Sequence, residues 1–150
     1  MKLNYIIIPL IVFLTAFIGS FFTERGMMWY ETLELPSFTP PGFVISIAWT
    51  IIFFLCLISG LIFWNKGKKR KRIALLFLLN ALLNILWSFI FFNQHLIFLS
   101  IIEMILLNIT TLLLIYRLIP VSRVASALLL PYFLWVGFAT YLAYSIYLLN

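Results

Sequence analysis

The sequence has few charged residues, one histidine and one cysteine. Of its 150 residues only 9% are charged, whereas 65% are hydrophobic and 19% are aromatic. A water-soluble domain of this composition would lack enough polar side chains to cover its surface. Because Cys56 is alone, neither a disulfide nor a thiolate metal site can form within one chain. The composition therefore predicts a protein that is embedded in a membrane.

The motifs of conventional catalysis are also absent. The sequence contains no metal-ligand cluster, no catalytic triad and no nucleotide-binding or energy-coupling motif. The lone His95 lies in a short connection between two apolar segments, where we interpret it as a polar cap and not as a haem ligand. These absences give no support to active pumping and predict that no cofactor is required.

Five apolar windows are long enough to cross a membrane. About 20 helical residues span the ~30 Å of hydrocarbon, and the period-two alternation of a membrane β-barrel is absent. For the first window, its length and Pro9 favour a retained helix over a cleaved signal peptide. We predict an all-α bundle of five transmembrane helices in one domain covering 1–150, with the helices at 3–22, 43–64, 73–92, 96–116 and 124–149.

The basic residues predict the orientation of the bundle. Lys2, the six charges of "NKGKKRKR", Arg117 and Arg123 fall on one side, giving nine basic residues against Arg25 alone on the other. The positive-inside rule then predicts a cytoplasmic N-terminus, an external C-terminus and a multi-pass protein of the bacterial plasma membrane. The basic cluster is typical of a topology anchor that attracts anionic lipid, so lipid is an expected partner and nucleic acid is not.

Polar residues lie at membrane depth in helices three and four. Asn80, Asn84 and Trp87 share one stripe of helix three, and Glu103 is the one carboxylate inside a predicted span. The short connection "NQH" predicts an antiparallel hairpin with Asn84 level with Glu103. A charged carboxylate at this depth costs about 2.5–3.5 kcal/mol. We therefore expect Glu103 to be hydrogen-bonded by Asn84 or protonated, and for Asn84 both a structural role and a proton or ligand site stay open.

The same hairpin places Asn80 level with Asn108, close to Thr110 and Thr111. Hydrogen bonds between helices in a membrane contribute about 0.6 kcal/mol each. We interpret these residues as interhelical contacts and not as a ligand site.

Helices two and five carry aromatic stripes. Trp49, Phe53, Cys56 and Gly60 follow the helical repeat in helix two, and the corresponding stripe of helix five contains Pro131, Trp135, Phe138, Leu142 and Ser145. Trp49 and Trp135 lie about 10–18 Å inside their spans, too deep for interface anchors. Their indole N–H groups would lack partners in lipid, so we expect them to line a cavity.

The first connection, at residues 23–42, is predicted to be a semi-rigid cap over the bundle. Connections of 20 residues without regular structure are usually lids or binding loops. Pro36, Pro40 and Pro41 restrict its backbone, while Trp29 and Tyr30 belong to an apolar side that could fold over the bundle. A cap explains both the prolines and the aromatic residues.

The ordered motifs "WYETLELPSFTPPGF", "LLNALLNILWSFIFF" and "PYFLWVGFATYLAYSIY" resemble the TspO/MBR family of tryptophan-rich sensory proteins and translocator proteins, also known as peripheral benzodiazepine receptors. The resemblance covers residues 29–150 and implies a homodimeric membrane protein. It also implies a cavity that opens toward the first connection and binds porphyrins such as protoporphyrin IX. The implied ligand-binding residues are Trp29, Tyr30, Pro40, Pro41, Trp49, Phe53, Asn84, Trp87, Trp135, Phe138, Ala139 and Leu142.

Three functions compete at this point. The first is porphyrin binding in transport, sensing or a stress response. The second, also implied by the resemblance, is light-dependent degradation of porphyrins, for which Trp49 and Trp135 would be the catalytic residues. The third is a lipid- or sterol-binding scaffold. Sterol recognition is weakly supported, because Leu142 and Tyr144 of a cholesterol-recognition pattern are not followed by a basic residue.

Overall fold

The computed structural model describes residues 3–66 and 70–150, and these residues form helices and turns without a strand. A π-helical turn, Phe89–Asn93, continues the third helix. Five helical segments are long and apolar enough to cross a membrane, which confirms the predicted five-helix bundle. The helices are α1 Asn4–Tyr30, α2 Gly42–Lys66, α3 Arg70–Ser88, α4 Ile97–Leu118, α5 Arg123–Ala127 and α6 Leu130–Leu149.

The bundle has two chemically different ends. We call the end with the connection 31–41 the loop end, and the other, where α2 ends and α3 begins, the basic end. The exposed basic residues at the basic end are Lys66, Lys71, Arg72, Arg117 and Arg123. Lys2, Lys68 and Lys69 lie outside the described residues. Which end faces the cytoplasm stays a prediction from this charge asymmetry.

The outward surface of the helices is apolar. Phe13, Phe17, Phe54 and Leu134 are each at least 60% exposed. Such a surface would be unfavourable in water and suits the acyl chains of lipid. The helices therefore bury only a narrow stripe against one another, and close packing and hydrogen bonds hold the bundle together.

The first helix is longer than predicted and the connection after it is shorter. α1 continues through Tyr30, so Trp29 and Tyr30 belong to its last turn and not to a loop. Its 27 residues extend about 40 Å, more than the hydrocarbon thickness. The hydropathy window ended at Phe22 because Glu24 and Arg25 follow, but polar residues end a membrane span without ending a helix.

Gly26 lets this extension pack against the end of α3. A Cβ atom added at Gly26 would collide with the backbone carbonyl of Phe92. The π-helical turn brings that carbonyl against α1, while Ile90, Phe91 and Phe92 are all buried. The contact between α1 and the π-helical turn thus depends on a residue without a side chain.

The fifth span is broken into α5 and α6. Ser122 caps α5 by accepting a hydrogen bond from the Ala125 amide, and the Ser126 hydroxyl donates to the Ile115 carbonyl at 2.8 Å. Pro131 lies in the first turn of α6, where its missing amide hydrogen has no cost, and it is exposed. The chain therefore breaks just before Pro131, within the stretch 124–149 that the sequence predicted to be one helix.

The α3–α4 hairpin has close to the predicted register. The Asn80 side-chain amide donates to the hydroxyls of Thr110 and Thr111, each at 2.9 Å, and both hydroxyls donate to the Leu107 carbonyl. Asn80 therefore lies within three residues of the predicted depth. Asn108 instead faces α6, where its amide nitrogen would be 3.6 Å from a Cβ placed on Gly137.

Candidate functional site

A column of aromatic side chains runs from the middle of the bundle to the loop end. It consists of Phe53 and Trp49 on α2, Trp87 and Phe91 at the end of α3, and Trp29 on α1. Neighbouring ring centroids are 5.5–6.4 Å apart, within the range of favourable aromatic contacts. We call these five residues the aromatic column.

Helical spacing and the extension of α1 assemble the column. Trp49 and Phe53 are four residues apart, as are Trp87 and Phe91, so each pair lies on one face of its helix. Trp29 reaches Phe91 because α1 continues beyond its predicted end. His95, in a left-handed conformation with φ 57°, stacks on Trp29 with 4.2 Å between the ring centroids. His95 is therefore part of the aromatic packing at the loop end.

The connection 31–41 is held against α6. Phe38 stacks on Tyr141 with ring centroids 5.4 Å apart and contacts Phe138 edge-on at 6.5 Å. The Asn150 side chain accepts a hydrogen bond from the Glu34 amide and donates one to the Glu34 carbonyl, both at 3.0 Å. The connection 31–41 thus contacts α6 through Phe38, which packs against two aromatic rings, and through the two hydrogen bonds between Asn150 and Glu34.

Buried polar atoms of four side chains near the column lack hydrogen-bond partners among the described residues. They are the indole nitrogens of Trp87 and Trp135, both carboxyl oxygens of Glu103, and the amide oxygen of Asn108. Buried polar groups in folded proteins are nearly always hydrogen-bonded, because an unpaired one costs about 1–3 kcal/mol. These groups therefore mark the region as a candidate binding site that offers two donors and a carboxyl group.

Asn84 does not contact Glu103 as predicted. Its amide nitrogen donates to the Tyr132 hydroxyl at 3.0 Å. Glu103 is only 4% exposed, and neither of its oxygens has a partner among the described residues. The register of the hairpin was predicted to within three residues, but depth alone does not fix the side of α3 from which Asn84 projects. Here it projects toward α6.

A cavity of about 410 Å³ lies in the basic half of the bundle. The resemblance implied instead a cavity opening toward the loop end, where aromatic side chains contact one another. Of the predicted ligand-binding residues, Phe53 and Asn84 line this cavity. The pair Asn84–Tyr132 lies between the cavity and the aromatic column, since Tyr132 lines the cavity and also contacts Trp49.

The other predicted site residues either pack near the aromatic column or lie just before α2. Tyr30 packs against Phe91 and Phe92, and the α6 residues Phe138, Ala139 and Leu142 belong to clusters that include Trp87. Trp135 packs with Trp49 around Tyr132 and Val136. Pro40 and Pro41 instead precede α2, where the Pro41 carbonyl accepts hydrogen bonds from Val44 and Ile45.

Sequence reasoning missed Tyr132 because the stripe on α6 was placed one residue too early. The buried residues of α6 are Tyr132, Val136, Leu142, Ala143 and Ile146, whereas Trp135 and Phe138 flank this stripe. The spacing of Tyr132, Val136, Ala143 and Ile146 is itself helical, so the signal was present in the sequence. The predicted stripe was placed on the face of α6 that contains Trp135, one residue before the buried stripe.

The sequence of this chain is similar to the sequences of several known proteins. A sequence model of the TspO/MBR family matches residues 7–149. The tryptophan-rich protein TspO of Bacillus cereus is 40% identical over 151 aligned positions, covering 100% of this chain and 99% of the relative. The protein of the same name from Archaeoglobus fulgidus is 39% identical, with coverage of 94% and 93%, and the human translocator protein is 27% identical, with coverage of 89% and 82%. The chain is a multi-pass membrane protein that belongs to the TspO/MBR family.

Proposed function

We propose that this protein binds porphyrins of the protoporphyrin IX type in the loop half of the bundle. The observation that carries the proposal is the pair of buried, unpartnered indole N–H groups of Trp87 and Trp135 beside the aromatic column. A flat macrocycle would stack on indole and phenyl rings, each contact contributing about 0.5–1.5 kcal/mol beyond area burial. Its carboxylates would accept hydrogen bonds from the two indoles.

The connection 31–41 is suited to act as the lid of this site. Phe38 covers Phe138 and Tyr141 on α6, and the two hydrogen bonds of Asn150 hold the segment closed. Because the rings of the column contact one another, a porphyrin must separate them as it enters. Lifting the lid from α6 would open the shortest path to Phe138 and Trp135.

Membership of the TspO/MBR family supports a role for porphyrin binding in transport, sensing or a stress response. The resemblance that first indicated porphyrins also implies a homodimer, which we retain as part of the proposal. The exposed surfaces of α1, α2 and α4 are largely apolar and suit lipid as well as a second copy of the chain.

Titration of the purified protein with protoporphyrin IX, followed by tryptophan fluorescence in the dark, tests the proposal. We expect saturable quenching, and we expect Trp87→Phe and Trp135→Phe each to weaken binding by about 3- to 10-fold through loss of one hydrogen bond. Trp64→Phe is the matched control, because Trp64 lines the cavity in the other half of the bundle. Absence of saturable quenching, or equal weakening in all three variants, would contradict the proposal.

Illumination of the same complexes separates binding from porphyrin degradation. Binding, transport or sensing predicts that the pigment spectrum is unchanged by the protein. Protein-dependent bleaching that is lost in Trp49→Phe and Trp135→Phe would instead identify the protein as a light-dependent porphyrin-degrading enzyme. A scaffold that binds only lipid or sterol predicts neither quenching nor bleaching.

A further inference from the structure

The cavity in the basic half is a narrow apolar space between α1, α2 and α3. On α1 its wall runs from Leu3 to Thr15, and on α2 from Ile52 to Trp64. Twelve residue steps of a helix extend about 18 Å, so the cavity is elongated along the membrane normal. Its volume of about 410 Å³ is within the range of small-molecule sites. This shape suits a single extended hydrocarbon chain.

The inner part of the cavity offers almost no free hydrogen-bonding group. The amide nitrogens of Asn80 and Asn84 are already bonded to threonine hydroxyls and to Tyr132, and the Thr15 hydroxyl donates to the Ile11 carbonyl. The inner part is therefore built for an apolar occupant.

One polar group is unpaired, and it lies at the basic end of the cavity. Asn4 is 7% exposed and lines the cavity, and its side-chain amide nitrogen has no hydrogen-bond partner among the described residues. An amide N–H donates to an ester carbonyl or a phosphate oxygen. Asn4 thus supplies a donor at the place where the head of an amphiphile would lie.

The charge around this end favours an anionic head. Exposed Lys66 ends α2, and exposed Lys71 and Arg72 begin α3, the two helices that form the cavity wall with α1. Three of the four acidic residues of the chain, Glu24, Glu31 and Glu34, lie toward the loop end. Basic residues near a membrane surface attract anionic lipid.

We infer that this cavity binds one acyl chain of an anionic phospholipid, with the head group at Asn4 and the basic residues of α2 and α3. The inference does not depend on porphyrin binding, because Phe53 is the one member of the aromatic column that lines the cavity. It assigns the basic end a second ligand of a different chemical class.

Native mass spectrometry of the full-length protein in detergent tests the inference with phosphatidylglycerol and phosphatidylcholine of identical chains. We expect one phosphatidylglycerol to bind saturably, and more tightly than phosphatidylcholine. Ala81→Phe, which fills the cavity from α3, should weaken this binding by about 10-fold or more through loss of buried chain area. Leu82→Phe is the matched control, since Leu82 is 64% exposed on the outer face of the same helix and should bind as the wild type does.

Two further variants guard against misfolding and test the head group. Ala74→Leu fills the cavity with a smaller side chain and should also lower binding. Asn4→Leu should weaken the binding of both lipids about 3-fold or more, because both carry the ester carbonyl and phosphate oxygens to which the Asn4 amide would donate. Equal binding of both lipids would overturn the inference. So would equal binding by folded Ala81→Phe, Ala74→Leu and Leu82→Phe proteins, because the lipid would then lie on the outer surface.

Discussion

The two halves of the bundle differ in whether their buried polar groups are hydrogen-bonded. In the basic half, Asn80 is bonded to two threonines and the hydroxyl of Ser59 donates to the Ala125 carbonyl at 2.7 Å. In the loop half, the carboxyl oxygens of Glu103 and the indole nitrogens of Trp87 and Trp135 are buried without partners among the described residues. The basic half uses these groups to join helices and leaves the Asn4 amide nitrogen without a partner among the described residues, whereas the loop half keeps several polar groups available for a ligand at a cost in stability.

The packing of side chains also differs between the two halves. In the loop half, aromatic rings pack against one another, and α1 packs closely against the π-helical turn. The basic half leaves a cavity that is lined by both aliphatic and aromatic side chains. The effects of a substitution on protein stability and on ligand binding can therefore be separated by experiment, because a substitution in one half should leave ligand binding in the other half unchanged.

The largest expected effect is on the packing of the loop half. Gly26→Ala should lower the free energy of unfolding by about 1–3 kcal/mol through overpacking, although alanine usually stabilises a helix interior relative to glycine. The added Cβ would collide with the Phe92 backbone, which cannot yield as a flexible side chain can. Unfolding by titration with sodium dodecyl sulfate measures the change.

Gly42→Ala is the control for this prediction, because a Cβ at Gly42 would meet nothing within 4 Å. It should change the free energy of unfolding by less than about 1 kcal/mol. Equal stability of Gly26→Ala and the wild type would show that α1 and the π-helical turn are not held in close contact.

The next effect has the opposite sign. Glu103→Met should raise the free energy of unfolding by about 1–3 kcal/mol, because it removes a buried carboxyl that has no partner among the described residues. Glu24→Gln, at an exposed position, should leave stability unchanged. If Glu103→Met destabilises the protein, the carboxyl contributes to the packing of the helices and the contrast between the halves is wrong at this residue.

Asn80→Leu should destabilise the protein, in contrast to Glu103→Met. The substitution removes two hydrogen bonds to α4 at about 0.6 kcal/mol each, so a loss of about 1 kcal/mol is expected. The same unfolding measurement applies, and porphyrin affinity should be unchanged because Asn80 lies in the basic half. Stabilisation by both Asn80→Leu and Glu103→Met would remove the proposed difference between the halves.

The sequence predicted the spans well, and its failures have physical causes. Hydropathy identified five helices because lipid requires long apolar segments, but it ended α1 at Phe22, since polar residues can continue a helix beyond the membrane. The stripe through Asn80 and Asn84 was correct because these side chains must avoid lipid. The bond from Asn84 to Tyr132 was not predicted, since it depends on how α6 packs across the bundle.

The location of open space was the least predictable feature. Trp49 and Trp87 were expected to line a cavity, and they instead stack with ring centroids 6.4 Å apart. The cavity forms where α1 meets α2 and α3 through smaller side chains, including Gly60 and Ala81. No periodicity reports such a space, because it is set by the distances between three helices.

The smallest expected effect concerns the lid. Asn150→Ala removes both side-chain hydrogen bonds to Glu34, so it should lower the free energy of unfolding by only about 0.5–1.5 kcal/mol, while hydrogen exchange at the Glu34 amide becomes several-fold faster. Asn65→Ala is the control, because its amide bonds the Tyr5 hydroxyl at the basic end. If the lid limits access to the loop half, protoporphyrin IX should also associate faster with Asn150→Ala than with the control, as measured by stopped-flow quenching. Faster exchange at Glu34 without faster association would show that porphyrin reaches the aromatic column by a path that does not require the connection 31–41 to leave α6.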